Sequence, residues 1–300
     1  MSATAAPGGA AAAAPRARRP VPARIRRRKL LMSVANHSVA IALSIAFLLP
    51  FVFILATSLM TNQQALSPSI WPRPFVWSNY RTVFESFPFV RYTLNTVTYA
   101  GLATVGVVLS CVPVAYALSR LQWRGRQAAF VLVLSTLMLP PQVTIVPLYT
   151  IFVRLHWIGS LKPLIIPLFF GDAFTIFLLR QFFLTIPDEL SDAARVDGAS
   201  ELQILLRVIV PLAKPALAAV ALFQFLYSWN DFFSPLLYAG NNPDSWTLAV
   251  ALQQFTTLSR GVLWNLQMAG ALLFTIPVLI IFFFAQKVFV EGVTLTGVKG

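Results

Sequence analysis

An all-α protein that crosses a membrane several times is the fold class this sequence predicts, and three observations predict it. The 300 residues are 57% hydrophobic and only 11% charged, where a soluble domain carries about 25% charged residues. Runs long enough to cross a hydrocarbon layer of roughly 30 Å, which takes about 20 apolar residues in a helix, recur along the chain. The lysines and arginines gather in alternate connecting segments, as they do in multi-pass membrane proteins.

Residues 1–35 are read as a basic tail. Their Ala, Pro and Arg content gives no apolar periodicity, so disorder is expected there, on the cytoplasmic side. Arg24 and the run from Arg26 to Lys29 resemble the charged start of a signal peptide. The apolar run that follows is too long for one and leads into further spans, so an uncleaved first helix is expected. Six membrane helices follow, at residues 39–60, 93–118, 128–148, 163–183, 212–238 and 266–290. Prolines interrupt several of them: Pro113, the pair Pro140 and Pro141, Pro167, Pro235 and Pro277. Kinks are expected there, because neighbouring helices can satisfy the freed carbonyls; the Pro140–Pro141 pair would alternatively end the third span.

Orientation follows from the basic residues. With the N-terminus inside, the inner segments hold the tail arginines, Arg120, Arg124, Arg126, Arg180, Arg195, Arg207, Lys214, Lys287 and Lys299. The outer segments hold only Arg73, Arg81, Arg91, Arg154, Lys162 and Arg260. Both termini are therefore expected in the cytoplasm. Five of the seven tryptophans (Trp71, Trp77, Trp157, Trp246 and Trp264) fall in outer segments, where an aromatic belt would sit.

The net charge of +13 does not mark a nucleic-acid binder. The basic residues lie in a tail and short loops, not on an amphipathic face with interleaved aromatics. The single cysteine, Cys111, cannot form an internal disulfide, and no His or Cys cluster offers a metal site. No phosphate-binding Gly-x-x-x-x-Gly-Lys-Ser/Thr loop is present. Neither a Ser-His-Asp set nor paired carboxylates in a plausible pocket appear, so the chain is not expected to be an enzyme.

The segment between the fourth and fifth spans, about 185–214, is unlike a simple connector. It holds Asp188, Glu189, Asp192, Asp197 and Glu201, half of the ten acidic residues of the chain. Pro187 can start a helix, with acidic residues at its positive dipole end. Gly198 can take the left-handed geometry that ends it. Ser200 can cap a second helix, with Gln203 as capping-box partner. Leu202, Leu205, Leu206 and Ile209 recur at helical spacing, and Pro211 and Pro215 end or kink the stretch. Two short cytoplasmic helices joined by a bend are predicted.

On these residues a family resemblance appears. Asp192, Ala193, Ala194, then Gly198, then nine residues, then Val208, Ile209, Val210 and Pro211 resemble the EAA loop of ABC importer permeases. The family pattern is Glu-Ala-Ala, three residues, Gly, nine residues, then Ile-x-Leu-Pro. Both gaps match; Asp192 stands for the Glu, Val208 for the Ile and Val210 for the Leu. The likeness is broader than one loop. Trp229, Asn230, Asp231 and Phe232, the stretch from Met138 to Gln142 with Pro147, Leu148 and Tyr149, and the C-terminal Gly297, Val298, Lys299 and Gly300 are similar to segments of maltose-transporter-type permeases, in their second-subunit form. The resemblance covers about residues 35–300.

The resemblance implies a type I ABC importer permease fold over 36–300 and uptake of a sugar or sugar derivative. The implied partners are a homologous second permease subunit, an ABC ATPase dimer, an extracytoplasmic solute-binding protein and membrane lipid. The chain would bind no cofactor; ATP and magnesium would be used by the ATPase. Its place would be the bacterial inner membrane. Asp192, Ala193, Ala194, Asp197, Gly198, Ala199 and Pro211 would couple to the ATPase, with Lys299 as a further contact from the C-terminal tail.

Polar residues within membrane spans are costly and invite a functional reading. Asn230 and Asp231 lead the candidates for the translocation path, followed by Gln224 and Asn95; Asp172 is another intramembrane acid. Each can equally bridge helices. A standalone secondary transporter or channel is the alternative reading. It would usually show internal repeats or more intramembrane charge.

Overall fold

A computed structural model describes residues 23–86, 88–258 and 263–297. All regular structure among the described residues is helical. Two compact units are distinguished, one ending at Phe53 and one starting at Ile54.

The first unit carries most of helix α1 (Ala23–Ser58). Its side chains from residue 31 to 53 are all exposed. A helix that is apolar on every side and uncovered within its own unit suits lipid or another membrane helix as its surroundings. The helix begins earlier than the sequence suggests, because it already includes residues 23–35 of the expected tail. Arg, Lys and Ala are good helix formers, and after Pro22 no proline recurs until Pro50.

The second unit contains, in chain order, α2 (Phe89–Ser119), α3 (Arg126–Thr136), α4 (Pro141–Arg154), α5 (Ala173–Phe183), α6 (Asp188–Val196) and α7 (Glu201–Ile204). They are followed by α8 (Lys214–Asn230), α9 (Phe233–Ala239), α10 (Leu248–Leu258) and α11 (Trp264–Gly297). Helix α2 is the central post. It packs chiefly on α8, on α5 and on the turn Ile166–Phe170. Its buried stripe is Ala100, Ala103, Gly106, Val107, Cys111 and Ala115, residues three or four apart. Inside a bilayer no hydrophobic effect drives helices together, so close backbone approach through small residues must supply the attraction. Gly106 is the tightest point: a Cβ there would lie 2.6 Å from the Phe169 ring.

Four helices are each long and apolar enough to span a bilayer: Leu31–Ser58, Phe89–Ser119, Lys162–Phe183 and Trp264–Phe284. Two further helix pairs are long and apolar enough only when taken together, and a bend of this size marks either a broken span or a re-entrant loop. Arg126–Thr136 and Pro141–Arg154 meet at 91°, and Glu201–Leu212 and Lys214–Asn230 at 80°. The expected third span, 128–148, is thus not one helix. Pro141 stands in the first turn of α4, and the residue before a proline is pushed out of the helical region, as Pro140 is at ψ 132°. The fourth span also changes character along its length. A 3-10 turn at Ile166–Phe170 holds Pro167, Gly171 has φ +107°, and Asp172 restarts the helix by accepting a 2.7 Å bond from the Thr175 amide. The expected fifth span, 212–238, breaks at Asp231 and Phe232 (Asp231 φ −66°, ψ 118°). Pro235 has no amide hydrogen, and its ring would clash with the carbonyl of Asp231 in a continuous helix.

At the far end of α1, within the second unit, side chains replace the missing helical donors. Asn79 donates to the carbonyls of Ser58 and Met60, both at 2.8 Å, and Asn265 donates to Met60 at 3.2 Å.

Candidate functional site

The segment between α5 and α8 folds as two short helices joined at a glycine. Pro187 caps α6, whose first turn holds Asp188 and Glu189. Gly198 has φ +82°. Its amide donates to Arg195 O (3.0 Å), and the next amide, of Ala199, reaches back to Ala194 O (2.9 Å). This is the Schellman pair of bonds, and it satisfies carbonyls that the helix end leaves open. Ser200 and Gln203 then exchange the two capping-box bonds, at 2.8 and 3.4 Å. The second helix widens into a π turn over Leu205–Ile209, with the Val210 amide bonded to Leu205 O. Pro211 explains the widening. It cannot donate to Arg207, and its ring pushes that carbonyl aside.

One face of this projection is glued down and the other is bare. Ser191 is buried, and Ala194, Ala199, Ile204, Leu205 and Ile209 pack on the main core with Tyr116, Phe183 and Val220. Asp192, Ala193, Asp197 and Gly198 are exposed. So are apolar residues, among them Val196 at 88%, Leu202 at 65% and Leu190 at 44%. A Cβ on Gly198 would meet nothing within 4 Å, so the glycine is needed inside this chain only for its backbone geometry.

Two polar clamps fix the projection to the end of α2. Arg120, with a side chain only 3% exposed, donates to the carbonyls of Phe183 (2.6 Å) and Ile186 and pairs with Asp188. Tyr116 donates to Glu201 at 2.5 Å, and Arg195 bonds both Glu201 (2.8 Å) and Asp192 (2.7 Å). Arg195 first, and then the Tyr116 hydroxyl, hold the Glu201 carboxyl below the usual carboxylate range; the same contact raises Arg195. The Asp192 carboxylate thus turns toward its own helix. Helix α2 and the projection are tied together by side-chain bonds at both short helices.

Of the polar residues read as candidates for a path, the structure gives each a bond. Asn95 donates to the carbonyls of Asp244 and Trp246, both at 2.9 Å, and braces α2 against the turn before α10. Gln224 donates to Ser228 one turn on, at 2.9 Å. Asn230 is exposed and donates back to Leu226 O at 2.8 Å. Asp231 stands in the break after α8. Its Oδ2 accepts from the Tyr99 hydroxyl at 2.9 Å and its Oδ1 from the Ser234 amide at 3.1 Å. Asp231 also lines a cleft of about 240 Å³ between α4 and the α8–α9 break; Asn230, Gln224 and Asn95 do not. Lys299 lies outside the described residues.

Sequence reasoning missed the clamps. Arg120 counted there only toward orientation, and Tyr116 and Tyr99 were read simply as part of an apolar helix. An arginine two residues beyond the expected end of a span was the available signal for Arg120. Nothing local marks the two tyrosines.

The family described as binding-protein-dependent transport system inner membrane component matches residues 104–295. The arabinooligosaccharides transport system permease protein of Bacillus subtilis is 33% identical over 86% of this chain and 92% of its own length. The osmoprotective compounds uptake permease protein of Synechocystis is 35% identical, over 86% and 90%. The sn-glycerol-3-phosphate transport system permease protein of Pectobacterium atrosepticum is 31% identical, over 87% and 95%. Among solved structures, a bacterial ABC transporter that imports the acidic polysaccharide alginate has a chain with TM-score 0.74 and 26% identity, covering 89% of this chain and 99% of that one.

Proposed function

Because the chain belongs to the family of inner membrane components of binding-protein-dependent transport systems, we propose that it forms one half of the membrane pathway for ATP-driven uptake of a sugar or sugar derivative. It is the multi-pass permease subunit, and the ATP and magnesium chemistry belongs to a separate ATPase dimer. A homologous permease supplies the other half of the pathway, and an extracytoplasmic solute-binding protein delivers the cargo. Both termini lie in the cytoplasm, on the side of the basic segments.

The observation that carries this reading is the capped projection at 185–214. Its bare face presents Asp192, Ala193, Asp197 and Gly198 with the uncovered Val196 and Leu190. Small residues at a bend allow a partner's surface to come close, and Ala199 and Pro211 set the directions of the chain on either side. The Arg120 and Tyr116–Glu201 clamps then pass the motion of the docked helix into α2. ATP binding, by closing the ATPase pair, moves two such projections as rigid bodies and biases the pathway between inward- and outward-open states. Lys299, in the C-terminal tail, adds a second contact to the ATPase. Asn230 and Asp231 sit on the pathway side of the helix break, and Gln224 and Asn95 steady the helices that line it.

The test is reconstitution with the second permease, the ATPase and the solute-loaded binding protein, reading ATPase stimulation. Gly198→Arg should insert normally and lose the stimulation, because a side chain at φ +82° strains the bend and its bulk falls in the space where the partner docks. Normal stimulation in that variant, or solute uptake by this chain with no ATPase, overturns the coupling reading.

A further inference from the structure

The geometry points to a ligand subsite at the α8–α9 break that accepts an uncharged, hydroxyl-rich ring and rejects an anion, with Asp231 as the group that sets the sign. It rests on the permease reading above and narrows it, since that reading leaves a neutral sugar and an acidic or phosphorylated derivative equally open.

Two interruptions of regular helix meet at this cleft. Pro141, where α4 restarts after its 91° bend, lies on one wall, and Asp231, where α8 ends, lies on the other. Non-helical backbone at membrane depth is stable only where protein covers it or a wet cavity meets it. The volume, about 240 Å³, is just below the roughly 300 Å³ at which whole ligand pockets begin. It suits one sugar ring held against one wall of a path that the second permease completes.

The lining reads as sugar chemistry. Tyr227, Ser234 and Tyr238 bring hydroxyls, the Thr144 hydroxyl, which donates to the Pro141 carbonyl at 2.9 Å, can still accept, Phe233 brings an aromatic side chain, and Asp231 brings an acceptor. The carboxylate is held in place before any ligand arrives. Tyr99 fixes one oxygen and the Ser234 amide the other, and each oxygen keeps a lone pair for a ligand hydroxyl. No lysine or arginine lines the cleft. Among the described residues the ion pairs leave Asp231 without a cation. A phosphate or uronate entering here would meet a single formal charge of its own sign, and walls that include Ile145, Leu148 and Leu237 screen that repulsion less than bulk water does.

The experiment uses the assembled importer in proteoliposomes and reads the cleft directly. Thr144→Cys is titrated with a small cationic and a small anionic methanethiosulfonate; the parent protein, whose Cys111 is buried, is the blank. The cationic reagent should react roughly tenfold faster than the ratio for a free thiol predicts, and Asp231→Asn in the same background should abolish that excess. During ATP-driven turnover, maltotriose should slow the labelling and trigalacturonate should not. Equal rates for the two reagents, equal protection by trigalacturonate, no protection by either sugar, or a thiol that no reagent reaches would each overturn the inference. ATPase stimulation by the loaded binding protein, read in the same vesicles, separates the two levels. If stimulation persists while the cleft fails these tests, only this subsite is wrong. If stimulation is absent from the unmutated complex, the permease reading itself has failed.

Discussion

Regular helix is interrupted at Gly198 and at Asp231 by opposite means. At Gly198 the turn is written into consecutive residues: a left-handed glycine, the Schellman bonds of Gly198 and Ala199, and the reciprocal capping of Ser200 and Gln203. At Asp231 the turn starts from one proline three positions ahead of Phe232 and is fixed by Tyr99, 132 residues away in sequence. The first turn makes a rigid object that can be handed to a partner. The second opens a gap that neighbouring helices must line. Local encoding suits an element that moves as a unit, and distant encoding suits one whose shape depends on how helices are placed around it.

The largest expected effect sharpens this contrast by attacking how the locally made projection is attached. Arg120→Ala takes the Arg120 donor from the carbonyl of Ile186 and leaves that of Phe183 only the Ile186 amide, and it should lower stability by about 2–4 kcal/mol. Thermal unfolding of the purified complex in detergent measures it. A loss under about 1 kcal/mol would show that α6 and α7 hold their attitude without the clamp. Next comes the distant encoding itself. Tyr99→Phe removes the one hydroxyl that reaches Asp231 across α2 and α8, and a hydrogen bond to a charged group contributes about 1.5–3 kcal/mol. The same melting assay reads the loss. The smallest effect belongs to the local turn: Ser200→Ala removes one weak, 3.4 Å cap bond among several redundant signals and should cost about 0.5–1 kcal/mol. If Ser200→Ala proves more damaging than Tyr99→Phe, the assignment of local and distant encoding is reversed.

Much of this molecule is legible in its residues. Apolar runs locate the membrane helices because a bilayer leaves backbone polar groups no partner but their own chain, so composition and length alone decide the element. The spacing from Asp192 through Gly198 to Pro211 locates the projection because capping, left-handed geometry and a missing amide are properties of single residues. The same logic fails at 137–140 and at 231–232. A proline announces that a helix is disturbed there, but whether the result is a kink, an end or a right-angle turn depends on which neighbours satisfy the freed carbonyls. It fails also for Asn95, an intramembrane polar residue whose partners, the carbonyls of Asp244 and Trp246, come from a turn about 150 positions on.

By itself, then, the sequence determined the all-helical membrane class and a capped two-helix projection of the kind importer permeases present, because these rest on short-range chemistry. Only the tertiary structure decided that Arg120 and Tyr116 lock that projection to α2, that residues 126–154 bend by 91°, and that Asp231 faces a cleft lined by no lysine or arginine. Those facts arise from side chains meeting across the bundle, and the meeting depends on helix placement, which no local pattern of residues specifies.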